Sequence, residues 1–203
     1  MAGATASTCG PVIASLMTLM EPQPIDLPSV DPLGTKRKLH PPFAFTVTTP
    51  HREELKPYLA VAEPFLTLPR HLVPSLQVAF KPPTMRYGWR APLDFLLEYA
   101  RKNRIRRKWG RDLSDYEKMS FALSALDKKC GSGMSSHHLR LRLTLIGWSE
   151  RRTLIISMYT NYDLEKASSL PSEEEVERLQ KALGMQEPPA WFLDNEAWKW
   201  TPW

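Results

Sequence analysis

Cysteine is nearly missing from this chain: 203 residues hold only Cys9 and Cys130. Two thiols this far apart make no disulfide framework, so a reducing, intracellular setting is expected. The apolar stretch 11–20 falls short of the ~20 residues that span a bilayer. It also has no Lys or Arg ahead of it, which disfavours a secretory signal. Ala2 stands where N-myristoylation needs glycine. Catalytic signatures are lacking too. Gly131-Ser132-Gly133 has no Gly-Lys-Ser/Thr to hold a nucleotide, and no Gly-x-Ser-x-Gly elbow occurs. Cys130 with His137 and His138 lacks a fourth ligand at close spacing, so neither metal nor cofactor is expected. Paired carboxylates occur at Glu53-Glu54 and at Glu173, Glu174 and Glu175, where they read as helix starts. The expectation is a protein that is not an enzyme.

What is present begins with a strong pairing signal at residues 138–162. Leu139, Leu141, Leu143 and Leu145 alternate with Arg140, Arg142 and Thr144, and Leu154, Ile156 and Met158 alternate with Ile155, Ser157 and Tyr159. Period two is the signature of a strand. The polar, glycine-bearing segment 147–152 between the runs reads as a hairpin loop. Arginines on one strand face predict antiparallel pairing with that face wet.

Along the chain, residues 1–42 carry seven of the nineteen prolines and read as a mostly disordered leader. A short helix over 12–20 is one option within it, and Lys36, Arg37 and Lys38 form a basic triplet suited to a phosphate contact or an import signal. Residues 43–203 read as one α+β domain. Residues 43–49 (FAFTVTT) predict the first strand, with Thr49-Pro50 opening a helix whose clean part is 57–63. A second short strand is expected at 76–80, and 81–89 as loop. The apolar spacing of Leu93, Leu96, Leu97 and Ala100 predicts a central helix over 91–109. Ser114 with Glu117, and Ser172 with Glu175, are capping boxes for two more helices, ended by the glycines at 131–133 and by Gly184. The tail 190–203 holds four of the seven tryptophans. Trp191 and Leu193 suit a buried final strand, while Trp198, Trp200 and Trp203 suit a membrane interface, a base-stacking surface or the core edge. The resulting fold class is α+β: an antiparallel sheet with helices packed on one face, behind a flexible N-terminal leader.

The sharpest functional signal is electrostatic. Net charge is +5, and Arg101, Lys102, Arg104, Arg106, Arg107, Lys108 and Arg111 place seven cations in eleven residues without one acid. Cations favour a helix C-terminus, yet this density exceeds what the dipole asks for. It predicts an anion-binding site for lipid headgroups or RNA phosphates. Arg140 and Arg142, with Arg151 and Arg152, extend the patch as secondary contacts.

In short blocks the chain resembles the matrix proteins of rhabdoviruses, in particular the vesiculovirus-like group. The blocks are Phe43-Ala44-Phe45-Thr46-Val47, residues 153–162 running into Leu164-Glu165-Lys166-Ala167, and Lys181-Ala182-Leu183-Gly184 followed by Ala190-Trp191-Phe192-Leu193-Asp194. The resemblance implies a peripheral membrane protein that self-associates under the envelope, binds ribonucleoprotein and drives budding. It would reside in the virion and in the host cytoplasm or at its inner membrane face, with the nucleus as a further compartment. The Pro-Pro-x-Tyr and Pro-Thr-Ala-Pro budding motifs are absent, and Lys36 is the first cation. The basic segment 101–111 would therefore have to supply the lipid or nucleocapsid contact. The alternative is a soluble basic RNA-binding accessory protein.

Overall fold

The computed structural model describes residues 39–203 except 49, 106, 109–110, 133, 135–138 and 146–152, and only the backbone of 107–108 and 166–169. The leader with Lys36, Arg37 and Lys38, Arg106, the pair His137 and His138, and the loop arginines 151–152 lie outside the described residues.

The fold is α+β. Its centre is a four-stranded antiparallel sheet in the order β5-β6-β2-β7, built from β2 (Met85–Arg90), β5 (Arg140–Thr144), β6 (Thr153–Thr160) and β7 (Ala190–Leu193). Around it run α1 (Arg52–Val61), α2 (Leu93–Lys102), α3 (Asp115–Cys130) and α4 (Glu173–Leu183). Two small ribbons complete it: β1 (Phe80–Lys81) with β8 (Thr201–Pro202), and β3 (Arg107–Lys108) with β4 (Arg111–Asp112).

The leucine–arginine alternation pairs as expected, with Leu141 opposite Ile156 and Arg142 opposite Ile155. The wet face does not extend across the sheet. In β6 the consecutive residues 155–159 are all buried, because β6 is an interior strand covered on both sides. Only the edge strand β5 keeps a polar face, with Arg140 exposed and Arg142 half-buried. The sheet also curls until its edges meet. Leu145 N–H donates to Leu193 O (3.0 Å), Asn195 N–H to Leu143 O (3.2 Å) and Thr144 Oγ1 to Leu193 O (2.7 Å). Arg86 pairs with the buried carboxylate of Asp194, which also accepts the N–H groups of Glu196 and Ala197 at 2.8 Å each.

The largest correction is β2. The stretch read as loop contains an interior strand, flanked by β6 and β7. Its sequence MRYGWR shows no alternation, and Gly88 reads as a breaker. The glycine is required instead: a Cβ there would lie 1.8 Å from Ile156 O. Tyr87 stacks at an angle between Tyr159 and Trp191, both centroids 5.0 Å away, so three strands share one aromatic row.

Residues 43–48 form no strand. Phe43 and Ala44 donate to His40 O, and this local turn replaces a ladder. Their aromatics still reach the core, Phe43 edge-on to Phe65 and Phe45 edge-on to Phe80 and Trp200. Within 76–80 only Phe80 joins a strand, and Leu76 is 82% exposed. Helix α1 starts at Arg52 and runs through Pro57 rather than beginning there. Proline removes one i→i−4 bond, and burial of Leu55 and Leu59 on either side holds the helix across the gap.

Helices α3 and α4 follow their punctuation. Both capping boxes form, at Ser114–Glu117 and Ser172–Glu175, and Gly131 and Gly184 end them in the left-handed region at φ 60° and 68°. Met119, Ala122, Leu123 and Leu126 of α3, with Leu179 and Leu183 of α4, enter one core reaching from Phe43 to Trp200.

Candidate anion-binding surface

The basic run is not a helix end. Helix α2 stops at Lys102, seven residues before the expected boundary. Ile105 N–H donates to Ala100 O (2.9 Å) and Arg104 N–H to Arg101 O (3.2 Å), the two bonds of a Schellman stop. Arg104 takes the left-handed position at φ 58° where glycine is usual, and Ile105 turns into the core. The chain then folds back as the β3–β4 ribbon, with Arg107 opposite Asp112 and Lys108 opposite Arg111. No sequence signal marks this stop, because the residue that makes it is an arginine.

The run therefore divides in two. Arg101 and Lys102 leave the last turn of α2, and both reach Glu98, at 3.8 and 2.9 Å. Their charges hold the Glu98 carboxyl below its usual range, chiefly through the Lys102 hydrogen bond. Arg104 is exposed at the turn. Arg107 and Lys108 lie on β3, and Arg111 on β4. Arg111 pairs with Glu117, whose carboxyl is drawn down to about 2 by that bond and by the N–H and hydroxyl of Ser114. Acids lacking within 101–111 are thus supplied by α2 and α3. These pairs are solvent-exposed, so they offset the cluster's self-repulsion without closing it to a polyanion.

The tryptophans separate. Trp198 is 6% exposed and Trp200 9%, whereas Trp203 is 47% exposed. Trp200 donates Nε1–H to Pro42 O (2.9 Å) and lies over His71. Neither Trp198 nor Trp200 is free to enter a bilayer or stack on a base. They are core-edge residues, buried because the tail folds back along Phe80 and the 39–45 segment. Trp203 keeps an open face with Lys81 Nζ 5.0 Å from its ring centroid.

Arg140 and Arg142 sit on β5, in a different sheet from the β3–β4 ribbon, at a cleft of about 330 Å³ between β5 and α3. Sequence reading grouped them with the basic run by charge alone. It missed the facing wall, Tyr116, Ser120 and Ser124, because those residues read only as the polar side of a helix. Tyr116 Oη donates to Leu141 O at 3.0 Å and ties α3 to the strand edge. Among the described residues no helix is long and apolar enough to cross a membrane. No family model, no curated protein and no solved structure matches this chain.

Proposed function

We propose that this chain is a non-catalytic, viral matrix-type structural protein that binds acidic membrane and ribonucleoprotein and self-assembles during budding. The observation that carries the anion-binding part is the exposed basic segment at the end of α2. Arg101 and Lys102 on the last turn of α2, Arg104 at the helix stop and Arg111 on β4 are all exposed to solvent there. Such a segment offers cations in several directions to a surface of phosphates, without requiring one bound geometry. The short sequence blocks that resemble rhabdovirus matrix proteins support the matrix part, and no late-budding motif accompanies them.

Burial of Trp198 and Trp200 takes two of the three tail aromatics away from base stacking and from a bilayer alike, so charge rather than aromatic contact carries both this reading and the alternative of a soluble RNA-binding protein. The discriminating experiment replaces Arg104, Arg106 and Arg107 with alanine and measures binding to acidic vesicles and to single-stranded RNA. At roughly 1 kcal/mol per cation near an acidic surface, vesicle affinity should fall about a hundredfold while circular dichroism stays unchanged. Binding equal to the unaltered protein would reduce the basic segment to a solvated face. A loss confined to RNA would favour the RNA-binding reading.

A further inference from the structure

We propose that the cleft between α3 and β5 is a separate binding site for a small phosphate ester. Its walls are donors at the Tyr116 end. Arg142 lines it with a buried Nε that has no hydrogen-bond partner among the described residues. The guanidinium is only half-buried, and turning it toward an anion in the cleft would give that Nε–H the partner it lacks. Arg140 stands two residues along the same strand face, about 7 Å away by strand rise, exposed at the mouth. Two guanidiniums so placed favour an oxyanion that accepts forked hydrogen bonds.

The helix wall adds to this. Ser120 and Ser124 lie one turn apart on α3, and neither hydroxyl has a side-chain bond among the described residues. Tyr116 holds Leu141 O, and in an antiparallel strand this turns the same residue's N–H toward α3 as well. The one carboxylate in the lining is Asp127, about 16 Å along the helix from Tyr116 and bonded to the Ser132 hydroxyl. It marks the opposite end, leaving the arginine end to the anion. Ser124 lies nearer Asp127 and Ser120 one turn from Tyr116, so the donors line the length of the cleft, and a phosphate with three or more oxygens engages more of them than a carboxylate does. The volume of about 330 Å³ is room enough for a phosphate with a small organic group.

A lipid headgroup and a soluble phosphate ester share this chemistry, and the test separates them. The full chain is titrated calorimetrically with glycerol phosphate, and the bound state is then challenged with phosphatidylcholine vesicles carrying phosphatidic acid. Saturable binding is expected, weakened about tenfold by Arg140→Gln. Ser124→Phe, which fills the cleft from the helix side, should abolish it. Replacing Arg104, Arg106 and Arg107 should leave it unchanged, so this site and the basic segment fail independently. Displacement by the vesicles would identify a membrane headgroup as the source, and binding that persists would identify a soluble ester. Absence of saturable binding, or equal binding in Arg140→Gln and Ser124→Phe, would overturn the proposal.

Discussion

Arg104 shows how one residue decides where the charges go. Left-handed backbone is unfavourable for any residue with a Cβ, and the conformation at φ 58° is held by the two helix-stop bonds and by Ile105 in the core. An arginine there keeps a cation at the tip where glycine would relieve the strain. Arg104→Gly should therefore raise stability by about 1 kcal/mol while weakening anion binding, measured by urea unfolding and vesicle binding on the same sample. A variant both less stable and equally avid would contradict this reading of the turn. Gly88 carries the opposite lesson. There glycine reads as an interruption of structure, yet the close approach of Ile156 O makes it the residue that lets two interior strands pair. Neither position was legible in the sequence: nothing in an arginine announces a left-handed residue, and the strand that closes on Gly88 lies distant along the chain.

Among the elements, the best-read ones carry their own local chemistry. The α3 and α4 boundaries follow from a serine, a glutamate three residues on, and a glycine at the far end. The β5–β6 pairing follows from alternation. Strand β2 and the 43–48 segment were misread for one reason: in both, the aromatic content is satisfied by partners elsewhere in the fold, and the local pattern is silent about whether a ladder forms. The capping box of α3 also links stability to the basic segment, since Glu117 serves Ser114 and Arg111 together. Ser114→Ala should cost about 1 kcal/mol in thermal or chemical melts. Because the Glu117 carboxyl is lowered to about 2 in the folded protein, its contribution is complete above the ordinary carboxyl value of 4.5 and is lost as pH falls through 2. Melting temperatures of Glu117→Gln and the unaltered protein should differ above pH 4.5 and converge toward pH 2. A difference that stays constant across that range would show that ionisation of Glu117 is not what stabilises the helix start.

At the scale of the molecule, a sheet that curls edge to edge leaves little backbone free for strand exchange. Thr144 and Asp194 form an antiparallel bridge, and Phe65 pairs with Trp191 along the outer side of β7. Interactions are thus left to side chains, and the exposed side chains are biased toward cations. Charge was the most legible functional feature of the sequence. What it could not convey was the division of those cations between the end of α2, the helix stop at Arg104, the β3–β4 ribbon and the β5 face at Arg140 and Arg142. On the proposed function, the cations at the end of α2 and on the β3–β4 ribbon hold the protein on acidic membranes. Flotation of the full chain with acidic and with neutral vesicles, at low and at physiological salt, tests it most directly. Flotation is expected with acidic vesicles alone, weakening as salt rises. Flotation with both kinds would shift the contact to apolar residues such as Trp203 or the 12–20 stretch. Failure to float at either salt would contradict the claim.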